Sequence, residues 1–484
     1  MTSRDKKGQA HMYSGPEPPH DEVAASFTAA RSLGAAFDVW LSGWQSSATI
    51  IHKSEARLRS LLELARTQAP LYRRLYRDVA AHATPRLADL PVVTKRMLMD
   101  DLAGSLTVGD LSRAEIDHFI AAEPVGGLLR GRYAVWTTSG TTGAPGIFLH
   151  DRDALALYDA LEMFRFRGPA APFELAARLL SGERFAMVAA TGGHFAGAAM
   201  VERLRRMYPW LAGNVRVFSL LQPLAELVQE LNAFGPTLLA TYPTAADLLA
   251  AEREAGRLAI EPREIWTGGE CLCSPVRAHL RRAFDCRVRN SYGASEFLSI
   301  AAECSHGAMH LNADWVILEP VDADYRVLDP GETSATVLLT NLANGIQPLI
   351  RYDLGDSITL LPAPCGCGNP LPAMRVEGRH DDAVALLAPD GRSVTLLPLV
   401  LETVLEEDAH VHDFQLVQRG SDRLVLRLGG DAAAAAPRAR AVLEDYLRNN
   451  GLANTRLEVA PEPPQREAAS GKLRRVICAE ARRP

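Results

Sequence analysis

Six consecutive small residues, from Thr138 to Gly143, form the part of the sequence best suited to chemistry on phosphate groups. Four of them carry hydroxyl groups and two are glycines. Gly140 and Gly143 allow several backbone N–H groups to point at one anion, and the hydroxyls add further donors. The segment is not a Walker loop, because the GxxxxGK[ST] pattern is absent. It predicts a triphosphate-binding loop, with an ordinary Ser/Thr/Gly surface loop as the alternative.

Three later segments carry groups that suit the rest of a nucleotide. Residues 266–270 (WTGGE) end a strand-like run with two glycines and an acid, where a flat base could lie against the backbone. Residues 290–296 (NSYGASE) place an aromatic ring four residues before a carboxylate that suits Mg²⁺. Residues 349–356 (LIRYDLGD) end in Asp356, which can accept two hydrogen bonds from ribose hydroxyls. Each segment alone is also typical of a structural turn, but their joint order favours a nucleotide site.

Cysteine and histidine residues form a second candidate site. Cys304, His306 and His310 lie in the segment ECSHGAMH, and Cys365 and Cys367 lie in PCGCG. Two thiolates one residue apart, with a cysteine and a histidine about sixty residues earlier, can complete a tetrahedral zinc site. We predict Cys304, His310, Cys365 and Cys367 as the ligands, with His306 as the substitute histidine. The alternative is four reduced residues in loops.

The elements that must position these groups follow an alternating pattern. Between residues 130 and 300, strand-like runs alternate with helical ones, which predicts parallel βα units. The predicted strands are 185–190, 215–219, 237–241 and 265–268, and helices 224–234 and 245–255 lie between them. Residues 315–320 and 335–340 are predicted as hairpin strands of a second sheet. Thr94 is predicted to cap a further helix that begins in the segment PVVTK.

The pattern changes near residue 380, where a compact α+β module begins. Its predicted elements are a strand at 393–397, a helix at 398–408, strands at 411–418 and 422–428, a helix at 436–449 and a strand at 455–459. We therefore predict an α/β fold with a large N-terminal domain over residues 26–378 and a small C-terminal domain over residues 383–484. Residues 379–382 form the predicted hinge. Residues 1–25 are predicted to be disordered.

Composition excludes several classes of protein. The 484 residues include 52 Lys and Arg against 58 Asp and Glu, and the net charge of −6 offers no broad basic face for a nucleic acid polymer. No stretch approaches the ~18 apolar residues that a membrane span needs. Seven cysteines in a long chain do not form a disulfide scaffold. We expect a reduced, cytoplasmic protein that binds small molecules.

The motifs together resemble the adenylate-forming superfamily of acyl-CoA synthetases, adenylation domains and luciferases, and within it the phenylacetate–CoA ligase-like branch. The matching motifs are TSGTTGAPG at 138–146, TGGE at 267–270, NSYGASE at 290–296, IRYDLGD at 350–356, EGRHDD at 377–382 and SGKLRR at 470–475. The flanks LARTQAPLYRRLY at 64–76 and LPVVTKRML at 90–98 are also similar to that branch. One departure is Gly146, which stands where many members of the superfamily carry a lysine; the phenylacetate-ligase branch also tends to lack it.

The resemblance implies a two-step ligase with ATP and Mg²⁺. A carboxylate attacks the α-phosphorus of ATP to give an acyl-adenylate and pyrophosphate, and a thiol, usually that of coenzyme A, then displaces AMP. In this comparison Tyr292 would stack on adenine, Glu296 would bind Mg²⁺, and Asp356 with Arg379 would hold the ribose. The implied nucleotide-binding residues are Ser139, Gly140, Thr141, Thr142, Gly143, Gly268, Gly269, Glu270, Asn290, Ser291, Tyr292, Gly293, Ala294, Ser295, Asp356 and Arg379.

Two residues of the C-terminal part receive roles from the same resemblance. Lys472 would touch both the carboxylate of the acid and the α-phosphate, and Asp381 matches the point where the small domain pivots. A pivot makes sense because one site must exclude water from the adenylate and then admit a bulky thiol. The alternatives are a solvated basic tail for Lys472 and a plain polar linker around Asp381.

Similar Cys/His pairs hold a structural zinc in part of the phenylacetate-ligase branch.

The walls of the acid pocket are expected in two strand-end segments, 191–196 and 240–244. His194, Phe195, Tyr242 and Gly268 would line a slot for a flat acid, so an aromatic or similarly compact acid is the expected substrate. The alternative is that both segments are turns. Three functions remain open at this point: an acid–thiol ligase; an adenylating enzyme of secondary metabolism that serves an amine or activates nitrite for N–N bond formation on an aryl amine; and a nucleotide-binding protein without catalysis. A homodimer is also possible.

Overall fold

The computed structural model describes thirteen stretches of the chain. They are residues 22–77, 79, 86–123, 125–138, 146–166, 182–191, 193–270, 272–376, 384–396, 398–411, 413–429, 434–465 and 475–478. The first helix begins at Glu22, so residues 22–25 of the segment predicted as disordered are helical. Among the described helices, none combines the length and the apolar character that a membrane crossing requires.

The helices of these stretches are numbered in chain order. They are α1 (Glu22–Ser42), α2 (Ser47–Gln68), α3 (Pro70–Leu75), α4 (Lys95–Asp100), α5 (Arg113–Ala122), α6 (Arg152–Leu161), α7 (Ala196–Met207), α8 (Leu224–Phe234), α9 (Pro243–Glu254), α10 (Ser274–Phe284), α11 (Pro398–Thr403) and α12 (Ala436–Asn449). Thr94 caps α4 as predicted, because its side chain accepts a hydrogen bond from Met97 N.

A nine-stranded mixed sheet forms the centre of the large part of the chain. Its strands are β3 (Phe185–Ala189), β4 (Val215–Ser219), β5 (Leu238–Thr241), β6 (Glu264–Thr267), β7 (Arg287–Ala294), β8 (Phe297–Glu303), β9 (Met309–Leu311), β13 (Ile358–Leu360) and β14 (Ala373–Val376). Their order is β13-β14-β9-β8-β7-β6-β5-β3-β4. Neighbouring strands pair in parallel along the run β4-β3-β5-β6-β7. They pair antiparallel along the run β7-β8-β9-β14-β13. The α/β class is confirmed, and the predicted βα units are the parallel half of this sheet.

Two smaller sheets complete the large part. The hairpin β1 (Ala134–Thr138) and β2 (Gly146–His150) pairs Thr138 with Gly146, so the strands end and begin at the two sides of segment 139–145. The predicted hairpin strands are β10 (Val316–Val321) and β11 (Thr336–Asn341), which pair antiparallel, and β12 (Tyr352–Asp353) adds a third strand beside β11.

Residues after 384 form sheets of their own. β15 (Val384–Leu387) pairs with β16 (Ser393–Leu396), and a four-stranded sheet contains β17 (Phe414–Gln418), β18 (Arg423–Leu428), β19 (Arg456–Ala460) and β20 (Val476–Cys478) in the order β19-β18-β17-β20. The predicted helix at 398–408 is α11 followed by a π-helical turn, Val404–Asp408. β15 and β20 were not predicted. β20 is three residues long and pairs in parallel with β17, so its own sequence carries little signal.

The core consists of three buried clusters of apolar side chains. One cluster begins on the parallel strands at Ala186 and continues into the C-terminal part as far as Val476. A second joins α2, α6 and the sheet strand β8 around Tyr158 and Phe297. The third lies under α5 and the hairpin β1–β2. The hairpin is therefore fixed by packing on both faces.

Candidate functional site

A cavity of about 1710 Å³ lies at the carboxyl ends of the parallel strands β5, β6 and β7. This is the edge at which open α/β sheets bind their ligands. The segment 290–296 lines it along one side, and Lys95, Asp356 and Pro398 contribute from three other elements. The structure therefore brings groups from several predicted motifs to one space.

Tyr292 and Asp356 are joined directly at the cavity wall. Tyr292 lies near the end of β7 and its hydroxyl donates to Asp356 Oδ2 over 2.8 Å. Both residues line the cavity. The bond fixes one oxygen of the carboxylate, so the aromatic ring and the acid that were predicted to hold adenine and ribose form one unit.

Glu296 lies in the turn between β7 and β8, with 6% of its surface exposed. Burial raises the pKa of this carboxyl above its usual range, and a hydrogen bond from Tyr352 and the charge of Lys95 act in the opposite direction. A buried carboxylate beside a large polar cavity suits a hard divalent cation such as Mg²⁺. The carboxylate lines the cavity, so an ion bound there could also reach phosphate oxygens.

Two residues that the sequence reasoning missed hold this turn in place. His150 Nε2 donates to Ser295 O over 2.8 Å, and Asn341 Nδ2 donates to Glu296 O over 2.9 Å. His150 is neutral because burial lowers its pKa to about 3, and its Nδ1 accepts from the Tyr158 hydroxyl at 3.0 Å. The only signal in the sequence was the position of His150 at the end of β2, directly after the glycine-rich segment.

Gly293 is required by the close approach of two strands. A Cβ at this position would lie 1.7 Å from Leu298 O, and the β7–β8 register shifts between Tyr292 and Ala294. A glycine therefore permits the β-bulge that turns the next residues toward the cavity. Ala294 and Ser295 line the cavity beyond this bulge.

The remaining residues of the WTGGE and NSYGASE motifs are held by side-chain hydrogen bonds. Glu270 accepts from Thr244 N at 3.1 Å and from its hydroxyl at 2.8 Å, so it binds the first turn of α9. Asn290 Oδ1 accepts from the Thr267 hydroxyl at 2.9 Å. Gly268 and Gly269 form the strand end, and a Cβ on Gly268 would lie 3.0 Å from Ser291 Oγ. These contacts shape the edge where a base was expected to lie.

The residues predicted for the acid slot separate into two groups. Phe195 lines the cavity. His194 instead packs against Phe119, with ring centroids 5.4 Å apart, and hydrogen bonds to backbone groups including that of Glu123. Burial lowers the pKa of His194, which makes it a neutral packing residue between α5 and β1. Tyr242 lies against Gly269: a Cβ added to Gly269 would be 3.0 Å from the Tyr242 ring.

Cys304, His310, Cys365 and Cys367 form a compact cluster, and Cys304 also lines the cavity. Their ligand atoms all lie within 4.8 Å of one another. The Cys304 and Cys365 sulfurs are 3.8 Å apart, and Cys367 Sγ is 3.3 Å from His310 Nε2. His306 is exposed and contributes only its backbone N–H, which donates to Cys304 Sγ over 3.4 Å. The geometry favours His310 over His306 as the fourth group.

Strand pairing explains why these distant cysteines meet. Cys304 follows β8, His310 lies on β9, and β14 pairs with β9 so that Ala373 lies opposite His310. The loop that leads into β14 carries Cys365 and Cys367. His310 Nδ1 donates to Leu371 O over 2.9 Å, which leaves Nε2 toward the sulfurs. Backbone N–H groups of His306 and Asn369 donate to two of the sulfurs at 3.4 Å each.

Two thiols of the cluster have pKa values that are shifted in opposite directions. The backbone N–H of Cys367 lowers the pKa of Cys365, and burial raises the pKa of Cys367 to about 11. Burial also lowers the pKa of His310, so its imidazole is neutral as a metal ligand must be. Three sulfurs and one imidazole nitrogen form a donor set that suits tetrahedral zinc.

Comparison with known proteins identifies the family. Residues 54–334 match the family model described as AMP-binding enzyme. The chain belongs to the AMP-binding enzyme family. The matched segment contains the hairpin β1–β2, the parallel strands and the whole of the motif at 290–296. The superfamily to which the sequence motifs pointed is thus confirmed.

Two named proteins resemble this AMP-binding enzyme. Over 135 residues it is 27% identical to Protein CapK of Staphylococcus aureus, and the match spans 28% of this chain and 28% of that relative. 2-Hydroxyisobutyryl-CoA ligase bound to 2-HIB-AMP and CoA in its thioesterification state is 22% identical, with a TM-score of 0.52 and 89% of each chain covered. The same ligase with R3-HIB-AMP in its postadenylation state gives 21%, a TM-score of 0.50 and 90% of each chain. These structures share the fold.

Some predicted residues of this AMP-binding enzyme lie outside the described stretches. They are Ser139, Gly140, Thr141, Thr142, Gly143, Arg379, Asp381 and Lys472. The structure does describe residues close to them in sequence: Thr138 pairs with Gly146, and Arg475 is buried. Their roles stay predictions.

Proposed function

We propose that this protein is an ATP-dependent, AMP-forming ligase that adenylates a carboxylic acid and transfers the acyl group to the thiol of coenzyme A. The observation that carries the proposal is the convergence of Tyr292, Asp356 and Glu296 on one cavity at the carboxyl edge of the sheet. A ring for a base, a carboxylate for a ribose and a buried acid for a cation match the parts of a nucleotide. Membership of the AMP-binding enzyme family names the nucleotide class.

The first step joins two anions, so charge neutralisation and positioning must supply most of the acceleration. The oxygen of the acid attacks the α-phosphorus, and the bond to the β-phosphate oxygen breaks as pyrophosphate leaves. Tyr292 and Asp356 would fix the adenosine end against the β7 edge. Glu296 would hold Mg²⁺, which supplies positive charge to the phosphate oxygens when bound. The half-buried Phe195 would form part of the wall of the acid slot.

Lys472 is the proposed cation for the carboxylate and the α-phosphate. Support comes from Arg475, three residues later, which anchors the chain beside it. Arg475 is 1% exposed, and its Nη1 lies 2.6 Å from Glu406 and 3.2 Å from Glu402. Glu402 also lines the cavity. The buried pairs therefore hold Arg475 beside a residue of the cavity wall. We propose that Lys472 acts from a small C-terminal domain that pivots at Asp381.

The acceptor and the acid are proposed from similar proteins. The 2-hydroxyisobutyryl-CoA ligase of similar fold binds CoA together with an acyl-AMP, and its 2-hydroxyisobutyryl group is compact. The resemblance of the motifs to the phenylacetate–CoA ligase-like branch favours an aromatic acid. We propose a compact or aromatic acid and coenzyme A as the pair to test first.

Zinc completes the proposed set of bound groups. The cluster of Cys304, His310, Cys365 and Cys367 would hold it with four protein ligands, which leave no open coordination position. The ion would therefore tie the β8–β9 hairpin to the loop before β14 and take no part in the chemistry. A ligand set of this kind stabilises the fold.

The decisive experiment measures pyrophosphate release over a panel of aryl, alkyl and inorganic acids including nitrite, with and without coenzyme A or an amine. We expect release with one class of acid, and thioester formation when coenzyme A is present. Lys472→Ala should lose adenylation and largely keep ATP binding. Release that produces an amide or an N–N bond would replace the acceptor, and ATP binding without turnover on any acid would overturn the proposal.

A further inference from the structure

Gly146 lacks the space for the lysine that many members of the superfamily carry at this position. A Cβ on Gly146 would lie 2.7 Å from Phe148 Cε2 and 2.7 Å from Thr138 Oγ1. Phe148 is 1% exposed and packs edge-on against Tyr352, and Thr138 Oγ1 already accepts from Gly146 N at 3.0 Å. Neither neighbour can move cheaply, since protein cores are close-packed. A side chain at 146 is therefore excluded.

The third neighbour of that same Cβ is Lys95, whose Cε would lie 3.1 Å away. The stem of Lys95 thus reaches the space beside Gly146 from a different element. This space lies at the end of the hairpin β1–β2 where Thr138 pairs with Gly146. These two residues directly precede and follow segment 139–145 in the sequence. Lys95 also lines the cavity together with Tyr292 and Asp356.

Lys95 is held there by backbone bonds that have no part in the hairpin. It is the first residue of α4, whose cap is Thr94. The preceding residue, Val93, donates to Arg351 O at 3.0 Å and accepts from Asp353 N at 2.9 Å. The segment that carries Lys95 is therefore fixed to β12, three residues before Asp356.

The charge around Lys95 suits a polyanion with a metal ion. Glu296 and Asp356 line the same cavity as Lys95. An ammonium is a compact charge that binds phosphate well.

We propose that Lys95 binds the β- and γ-phosphates of ATP and takes the role that a lysine at position 146 cannot fill here. The inference rests on the proposed adenylation. As the bond between the α-phosphorus and the bridging oxygen breaks, the electron pair stays with pyrophosphate, and Lys95 stabilises the charge that grows on this leaving group. AMP and the acyl-adenylate lack these two phosphates, so Lys95 has no role in the transfer to the thiol.

The test compares the binding of two nucleotides by calorimetry. Lys95→Met should weaken MgATP binding about 10- to 100-fold, the range for a lost charge-assisted hydrogen bond, and leave AMP binding unchanged. Lys95→Arg should stay within a few-fold of the wild type. Arg86→Met is the control, because the Arg86 side chain is 83% exposed, pairs with Asp89 and is not among the residues that line the cavity. If Lys95→Met does not fold, Lys95→Gln serves the same comparison.

Equal weakening of ATP and AMP, or no change in either, would overturn the inference. These binding measurements need no knowledge of the acid. A failure of the proposed function would show itself separately, as wild-type protein that releases no pyrophosphate with any acid. Once an acid is found, the thiol-transfer step from the prepared acyl-adenylate should proceed at the wild-type rate in Lys95→Met, whereas a structural role would slow both steps.

Discussion

The cysteine–histidine cluster and the nucleotide cleft are built in opposite ways. In the cluster, four ligand atoms already lie within 4.8 Å of one another, on two segments joined by the pairing of β9 with β14. In the cleft, the groups come from α4, the end of β7, the loop after β12 and the C-terminal part. One site is assembled by one pair of neighbouring strands and the loops beside them, whereas the other depends on the meeting of several elements.

The electrostatic cost of the two sites also differs. The cluster has a neutral histidine and N–H donors directed at its sulfurs, so it is ready for a cation. The cleft keeps Glu296 buried, and burial raises the pKa of this carboxyl. A site that supports the fold can lower the free energy of the native state, whereas a site that must bind and release charged ligands retains unfavourable groups. Substitutions in the two regions should therefore shift stability in opposite directions.

The largest expected effect is the loss of stability in Cys365→Ser. Removal of one thiolate leaves an incomplete ligand set, so bound zinc should fall well below one ion per chain. We expect a loss of about 4 kcal/mol in unfolding free energy, typical of a lost metal site, and a fall of about 8 °C in Tm. Elemental analysis of protein purified without added zinc and a thermal melt provide the measurements.

Cys273→Ser is the control for this variant, because Cys273 is an exposed free thiol outside the cluster. It should keep both zinc and Tm. Wild-type protein with substoichiometric zinc and a melt that chelator does not change would contradict the zinc assignment and remove the contrast between the two regions.

The second-largest effect is expected in Glu296→Gln, which should gain stability and lose activity. Since the folded-state pKa of Glu296 is raised, its ionised form destabilises the fold as pH rises through that pKa. A neutral amide removes this cost, so at pH 7 we expect Tm to rise by about 2 °C, for a gain of about 1 kcal/mol, which is the usual size of a single-substitution effect. Without the carboxylate for Mg²⁺, pyrophosphate release should fall at least about 100-fold in kcat/KM.

Glu303→Gln supplies the matched control with the opposite sign. Glu303 is also a buried carboxylate, but it accepts from Arg277 at 2.6 Å and from Asn290 N at 2.9 Å. Its removal leaves the partly buried Arg277 without its counter-charge, so Tm should fall. If both variants lower Tm, burial of Glu296 is not a cost, and the two regions do not differ as argued.

The sequence predicted the elements of both regions better than their internal contacts. The parallel strands could be located because strands such as β4 and helices such as α8 have strong local sequence patterns, and both were predicted with their observed bounds. The cluster was predictable because cysteine spacing is a direct chemical signal. His194 was misplaced in the acid slot, because sequence position does not say which side of a turn a ring occupies. The bonds from His150 and Asn341 to the turn at 295–296 join residues far apart in sequence and leave no local pattern.

The smallest effect concerns a charged histidine that contrasts with His310 of the cluster. His279 joins α10 to α9: its Nδ1 lies 2.6 Å from Asp247 and its Nε2 lies 3.3 Å from Glu254. The hydrogen bond to Asp247 raises the pKa of His279. A raised pKa gives stability that is fully present below the unfolded-state pKa and is lost as pH rises through the folded-state pKa. The protonated ring therefore stabilises the helix pair in mildly acidic solution.

We expect His279→Gln to lower stability by about 0.5 kcal/mol at pH 5.5, as for a solvent-screened ion pair, and by less at pH 8.5. Paired melts of the variant and the wild type at the two pH values measure the difference. His52→Gln, at an exposed histidine on α2, is the control and should show no such dependence. A loss that is equal at both pH values would mean that His279 acts through packing, as the buried and neutral His194 does, and not through its charge.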